Sequence, residues 1–258
     1  MFGEKNKKFP KTSKGEPTKS KVHPERIRFI EKWRALFNKR EQEIIIRVQF
    51  GTGIPLFFSE KESREKWFEN YGKNLPALFR VTSRLKLEYQ WGEGIRTSWS
   101  LDFKDICFYL KYRILEPLKH GIGFKAITPK DLQSKITDWQ YSPVVIIGNF
   151  QRFQQNPEIS FQLGLETAEI EIIGNPDLER DTIVIKDLKT AKIFAEFITE
   201  EANRLQQIQE IPIEENIKLV VELLGGGVAP PHIIIKSLCD ELVRVWEKIE
   251  MLKKSVKE

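Results

Sequence analysis

A change in hydrophobic period marks the segment Glu169–Leu205. Its first residues, Glu169–Ile173, alternate acidic and isoleucine side chains, which is typical of a half-buried strand. The β-branched run Thr182–Ile185 predicts a second strand. A long amphipathic helix, Thr190–Leu205, is predicted next because apolar residues recur three and four positions apart. Its apolar face carries Phe194, Phe197, Ile198, Leu205 and Ile208.

Several shorter apolar segments upstream predict further elements. Strands are predicted at Glu43–Phe50, Arg84–Trp91, Ile95–Leu101, Val144–Ile147 and Ile159–Leu165. The second and third of these form a hairpin, because a Gly-Glu-Gly turn at 92–94 separates them. Leu75–Phe79 contains a proline and is predicted to be a connector. Phe103–Ile114 is densely apolar and aromatic, which favours another strand and leaves a helix as the open alternative.

Amphipathic helices are predicted near both ends of the chain. Glu25–Lys39 has apolar residues at helical spacing and follows a His-Pro pair that can open a helix. Further on, apolar residues recur at alternating four- and three-residue steps at Leu238, Leu242, Val245, Ile249 and Leu252. This heptad-like seam is suited to packing on another helix, of the same chain or of a second copy. A protein partner or self-association through these five residues is therefore expected.

These elements predict an α+β fold. A mainly antiparallel sheet would be closed by the helix Thr190–Leu205, with helical extensions at both ends. Four parts are expected: a disordered basic tail (1–22), an N-terminal helix/strand/helix region (23–79), a β-rich domain with its closing helix (80–208) and a C-terminal helical appendage (209–258).

The positive charge of the chain is concentrated at its N-terminus. The 258 residues carry a net charge of +5, whereas residues 1–28 alone hold nine Lys or Arg and three Glu. The remaining residues are therefore close to neutral, and the basic character belongs to the tail rather than to a globular face. A lysine-rich tail can add non-specific affinity for phosphate backbones, and it can also be a solvated end without a ligand.

The remaining composition excludes several classes of protein. Cys107 and Cys239 lie far apart in the sequence and form neither a disulfide framework nor a metal-ligand spacing, which suits a reducing cytoplasm. The sequence contains no apolar run of membrane-spanning length and no signal-peptide pattern. It also lacks a nucleophile elbow, a zinc-protease motif and a dinucleotide fingerprint, and its three histidines are unpaired.

One spacing could support catalysis. Glu171 lies on the first strand of the central segment, and Asp187 and Lys189 follow the second strand. Two carboxylates can hold a divalent cation such as Mg²⁺ or Mn²⁺ while a lysine positions the attacking water. The structural alternative is that Asp187 caps the following helix, because its short side chain can accept from free amides of the first turn.

Two family resemblances accompany these patterns. The segments TSWSLDFKDICFYLKYR and TIVIKDLKTAKIFAEFI resemble a strand–acidic step–strand and a strand–cap–closing helix of bacterial pleckstrin-homology-like domains, over about residues 80–205. This resemblance implies a binding scaffold without catalytic residues. The segments EIEIIG and IVIKDLKT are similar to the core of the PD-(D/E)xK nuclease superfamily, in which Glu171, Asp187 and Lys189 would be the catalytic set.

The sequence thus predicts a non-catalytic cytoplasmic binding or scaffold protein that needs no cofactor. One alternative is a nuclease dependent on Mg²⁺ or Mn²⁺ and acting on DNA or RNA. Another is a nucleic-acid-binding protein that uses its basic tail together with exposed aromatic residues. Trp91 and Trp99 are the candidates for that role, although both also fit positions in a core or a hairpin pair.

Overall fold

The structure is a computed structural model of the full chain. It describes residues 23–52, 69–70, 72–83, 97–110, 143–155, 162–163, 170–207 and 231–254. The predicted tail (1–22) and the hairpin strand Arg84–Trp91, with its tryptophan, lie outside these residues.

Helices and strands alternate along the described segments. The helices are α1 (Pro24–Leu36), α2 (Lys39–Ile44), α3 (Phe103–Phe108), α4 (Leu178–Asp181), α5 (Leu188–Gln207) and α6 (Pro231–Lys254). A π-helical segment, Ile45–Thr52, continues α2, and short 3₁₀ turns occupy Gly72–Asn74 and Phe150–Arg152. The strands are β1 (Ala77–Ser83), β2 (Thr97–Ser100), β3 (Pro143–Asn149), β4 (Gln154–Gln155), β5 (Gln162–Leu163), β6 (Ile170–Asn175) and β7 (Thr182–Ile185).

The seven strands among the described residues all join one antiparallel sheet. Six follow the order β4-β6-β2-β1-β3-β7, and β5 also pairs with β6. The longest pairing joins β1 to β3, from Ala77 opposite Asn149 to Ser83 opposite Pro143. This combination of an antiparallel sheet and flanking helices confirms the predicted α+β class.

The two faces of the sheet belong to two hydrophobic cores. On β1, Ala77 and Phe79 face the core formed with the helices, and Leu78 faces the opposite core. Residues of α1, α5 and α6 fill the first core, so helices from both ends of the chain and the sheet share it. The second core contains Trp99, which is 1% exposed and donates from its indole Nε1 to the carbonyl of Gly174 at 3.2 Å. Trp99 is therefore a core residue.

The central segment follows its predicted pattern. Strands β6 and β7 correspond to the alternating and β-branched runs, and α5 covers the predicted closing helix. The predicted apolar face of α5 is buried at Phe194, Phe197, Ile198 and Leu205. At the N-terminus, α1 begins after His23, whose side chain accepts from the Glu25 amide, and Pro24 occupies the first turn.

The predicted strand Glu43–Phe50 is wrong, because this segment forms the end of α2 and the π-helical segment. A half-buried strand buries every second side chain, whereas this segment buries neighbouring residues such as Ile45 and Ile46. Gln49 is also fully buried, and its amide bonds the peptide group of Ala77 at the start of β1. Tertiary packing therefore overrides the strand propensity of the Ile-Ile-Ile run.

Two further predictions, one of a strand and one of a connector, need correction. Phe103–Ile114 is not a strand at its start, because α3 occupies Phe103–Phe108 and Asp102 caps it by accepting from the Lys104 amide at 2.9 Å. The rings of Phe103 and Phe50 lie 4.6 Å apart beneath α5, which requires both segments to turn inward. The predicted connector Leu75–Phe79 is also wrong, because Ala77 begins the central strand β1.

The C-terminal seam packs within the chain. Leu242, Val245 and Ile249 are at most 3% exposed and belong to the core shared with α5, and Leu238 packs against that core. The side chain of Leu252 lies outside the described ones. The seam therefore packs on its own chain, which is one of the two packings that its spacing allows. Binding of a protein partner through these residues stays a prediction.

Candidate functional site

The residues of the nuclease hypothesis lie on opposite parts of the sheet. Glu171 is on β6, and Asp187 follows β7, which is separated from β6 by β2, β1 and β3. Neighbouring strands are about 4.8 Å apart, whereas two carboxylates that share a metal ion must both lie within about 2.6 Å of it. The fold therefore does not bring Glu171 and Asp187 together.

Asp187 and Lys189 have other partners. The Thr190 amide donates to Asp187 Oδ1 at 2.8 Å, which is the predicted helix cap. Lys189 Nζ lies 2.8 Å from Glu25 Oε2 in a pair between α5 and α1, and the two side chains are 53% and 41% exposed. In the segments that the structure describes, no group of three or more His, Cys, Asp or Glu residues is arranged to hold a metal ion.

An open groove lies between α5 and α6. Its volume is about 740 Å³. Its lining residues are Lys192, Ala195, Glu196, Thr199 and Glu200 of α5 and Lys236, Cys239, Asp240, Val243, Arg244 and Glu247 of α6. The small side chains of Ala195, Thr199 and Val243 lie between the charged ones. The groove therefore has a floor of small side chains and walls of charged side chains.

Cross-helix contacts fix the two walls. Lys192 Nζ lies 3.1 Å from Glu247 Oε1, and Thr199 lies beside Cys239, where its hydroxyl partly offsets the rise in the pKa of the buried thiol. From the first of these contacts to the second, the residue number rises on α5 and falls on α6, so the two helices run antiparallel. The inner faces of both helices pack in the hydrophobic core, and this packing fixes the positions of the two groove walls.

The charges on the α5 wall are neutralised from the neighbouring helix α1. Arg26 pairs with Glu196 at 3.2 Å and also with Glu200, and its guanidinium spans both carboxylates. The two glutamate side chains are 62% and 61% exposed. Together with the pair between Lys192 and Glu247, these contacts balance most of the charge on this wall.

The α6 wall carries an alternating stripe of charge. Lys236, Asp240 and Arg244 are exposed and follow one another at four-residue steps, which places them on one side of a helix. Within the described part of the chain, none of the three side chains forms a hydrogen bond or a salt bridge. We call these three residues the α6 stripe.

The thiols near this region are unreactive groups. Burial raises the pKa of Cys239 to about 12, and burial also holds the pKa of Cys107 well above its ordinary value. Both cysteines are free, and Cys107 Sγ–H points to the Leu238 carbonyl at 3.7 Å. A thiol needs its thiolate form to act as a nucleophile, so neither cysteine is suited to catalysis.

A pair of buried carboxylates at α3 has a structural role. Asp102 and Asp105 are 2% and 5% exposed. Asp102 caps α3, and the Ser100 hydroxyl donates to Asp105. These contacts tie the end of β2 to the first turn of α3, so the two acids hold local structure rather than form an open acid–base site.

The sequence patterns do not predict the groove. The four-residue spacing of Lys236, Asp240 and Arg244 was visible, and it lies opposite the heptad-like seam. What the sequence lacked was the information that α6 packs beside α5, because the two helices are far apart along the chain and neither pattern specifies its partner.

Comparison with known proteins gives no family: no protein-family model, no curated protein and no solved structure matches this chain. Among the described helices, none combines the length and the apolar character needed to cross a membrane. The geometry of the groove is therefore the basis for the functional proposal below.

Proposed function

We propose that this protein is a non-catalytic binding or scaffold protein that holds a segment of a partner protein in the groove between α5 and α6. The observation that carries the proposal is the groove itself, an open volume of about 740 Å³ between two helices anchored in the core. Binding surfaces gain affinity when their walls are rigid before the ligand arrives, because less conformational entropy is lost.

The chemistry of the groove supports binding rather than catalysis. Its carboxylates Glu196 and Glu200 share Arg26, and its thiol Cys239 is protonated at neutral pH. General acid–base or nucleophilic catalysis requires a reactive group and a positioned base within hydrogen-bond reach of each other. The described lining residues offer charges for recognition and no such pair.

A cytoplasmic location is part of this proposal. Its support is the state of the two cysteines, which are free and buried. Unpaired cysteines are common where the thiol pool keeps proteins reduced. The resemblance to pleckstrin-homology-like domains stays a prediction, and the groove proposal does not depend on it.

A groove-filling substitution tests the proposal. Helical peptides would first be selected from a display library against the full-length protein, and their affinities would be measured by fluorescence anisotropy. Val243→Trp puts a large side chain on the groove floor and should weaken binding by about tenfold or more, the equivalent of roughly 1.4 kcal/mol.

Met251→Trp is the matched control. Met251 is on the same helix, 56% exposed and outside the groove lining, so its replacement should leave affinity within about twofold. Circular dichroism would establish that both variants fold. The proposal is overturned if no peptide is selected, or if the selected peptides bind a folded Val243→Trp variant as well as the wild type.

A further inference from the structure

We infer that the groove binds a helix whose contacting face reads acid–base–acid at four-residue steps, the complement of the α6 stripe. This inference rests on the proposed function and specifies the chemistry of the partner. It commits to a helical segment of another protein and not to a second copy of this chain.

The shape of the groove favours a helix as its occupant. Two antiparallel helices present a continuous trough between them, and a third helix can lie in such a trough at an axial distance of about 8–10 Å. Close approach requires small side chains at the contact, and the floor supplies Ala195, Thr199 and Val243. Larger charged residues stand at the sides, where they can reach the exposed flanks of an incoming helix.

The charges specify the contacting face of that helix. On the α5 wall, Arg26 already engages Glu196 and Glu200, and Glu247 engages Lys192 from across the groove. The α6 stripe has no such partner among the described residues. Its three charges recur about every 6 Å, because four residues of a helix rise by about that distance. A second helix with Glu, Lys and Glu at the same step matches all three.

A second copy of α6 is a poor occupant on the same grounds. In a symmetric antiparallel contact centred on Asp240, this residue would face itself and Lys236 would face Arg244. Every pair in that arrangement has like charges, which disfavours the contact. Moving the two-fold axis by two residues pairs Lys236 with Asp240, or Asp240 with Arg244, but leaves the third residue of the stripe facing His232 or Lys248, so a second copy never matches all three charges. The pattern therefore favours a different chain that carries the opposite sequence of charges.

Two synthetic peptides provide the test. Both would be amphipathic helices of equal length with the same small apolar face; one carries a Glu–Lys–Glu stripe and the other Lys–Glu–Lys, each at four-residue steps. Affinities would be measured by fluorescence anisotropy at low salt. The wild type should bind the Glu–Lys–Glu peptide about tenfold more tightly, because three exposed pairs are each worth a few tenths of a kcal/mol and the mismatched peptide adds repulsion.

A charge-reversed protein checks the assignment. The variant Lys236→Glu/Asp240→Lys/Arg244→Glu should reverse the preference and bind the Lys–Glu–Lys peptide more tightly. Raising the salt concentration should reduce the discrimination in both proteins, because exposed charges are screened. The inference is overturned if neither peptide binds the wild type, or if the variant does not reverse the preference.

The Val243→Trp variant separates failure of this inference from failure of the proposed function. If Val243→Trp weakens both peptides and the charge-reversed variant has no altered preference, the groove is the binding site and the acid–base–acid chemistry is wrong. If a folded Val243→Trp variant binds both peptides as the wild type does, the groove is not the binding site, and the inference and the proposed function fail together.

Discussion

Gln49 uses both ends of one amide to connect three segments of the fold. Its Nε2 donates to the carbonyls of Ala77 and Leu101 at 2.7 and 3.0 Å, and its Oε1 accepts from the Ala77 amide at 3.1 Å. The side chain therefore replaces a neighbouring strand at the start of β1. A buried polar group that serves three backbone atoms leaves all three unpaired when it is removed.

Gln49→Leu should destabilise the protein by about 2–4 kcal/mol, because the substitution keeps the bulk of the side chain and removes its hydrogen bonds inside the core. Urea unfolding followed by circular dichroism measures this change. Gln206→Leu, at an exposed position of α5, is the control and should change stability by about 0.5 kcal/mol or less. Equal stability of the two variants would contradict the role assigned to Gln49.

Asp181 links stability to pH. Its carboxylate accepts from the Arg180 side chain and from the Asp177 amide, and the hydrogen bond from Arg180 lowers the pKa of Asp181 below its ordinary value of 3.8. Because the folded-state pKa is depressed, this stabilisation is present above the unfolded-state pKa. It is lost as the pH falls through the lower, folded-state pKa.

Asp181→Asn should therefore be less stable than the wild type at pH 7. As the pH falls below about 4, the variant should lose less stability than the wild type does. Urea unfolding at a series of pH values measures both slopes. Glu179→Gln, two residues away and exposed, serves as the control. Parallel slopes for wild type and Asp181→Asn would show that this carboxylate does not couple folding to protons.

At the scale of elements, the sequence predicts the secondary structure of segments that pack on one side better than that of segments that pack on several sides. Helix α5 buries one face and exposes the other, so its period is readable from the sequence. Ile45–Thr52 packs into both cores, with Phe50 in one and Val48 in the other, and its period carries no such signal. Phe103 follows the same rule, because its ring is buried in an aromatic cluster.

The start of α5 distinguishes a helix cap from a catalytic residue. Asp187→Ala should destabilise the protein by about 1 kcal/mol, because it removes the acceptor for the Thr190 amide. Lys189→Ala should cost less than about 1 kcal/mol, because the lysine side chain is 53% exposed and an ion pair near the surface contributes little to stability. Thermal unfolding measures both changes.

The same variants examine the nuclease alternative. Mg²⁺ or Mn²⁺ at millimolar concentration should leave the melting temperature unchanged, since only a ligand that binds the native state raises it. Cleavage of DNA or RNA that requires either ion and disappears in a folded Lys189→Ala variant would contradict the cap interpretation and establish catalysis. Asp187→Asn provides a gentler control, because an asparagine can still cap the helix.

At the scale of the whole molecule, the candidate site depended on information that is not local in sequence. The heptad-like seam of α6 predicted a helix with a buried stripe, and Leu242 and Val245 are buried as the pattern requires. Whether that stripe met its own chain or another chain was not encoded in its spacing. The groove exists only because α5 supplies the partner stripe, and the opposite, charged side of α6 then becomes one of its walls.

The separation of charge between the tail and the rest of the chain gives the last prediction. Residues 1–22 contain seven lysines and two glutamates, so their removal from a chain of net charge +5 leaves a net charge near zero. Any affinity of the full-length protein for duplex DNA should therefore fall to the limit of detection when residues 1–22 are deleted. For the full-length chain, log affinity should fall with log salt concentration with a slope of no more than about 6, because each of seven phosphate contacts contributes about 0.9.

Replacing the seven lysines with glutamine in the full-length chain is the matched control, because it removes the charge and keeps the length. It should reproduce the deletion in an anisotropy titration with labelled duplex at several salt concentrations. Peptide binding in the groove should be unchanged in both variants, since its lining residues all lie outside the tail. If the protein without residues 1–22 kept its DNA affinity and its salt dependence, the rest of the chain would be the source of nucleic-acid binding. The near-zero net charge of that part would then not predict whether it binds DNA.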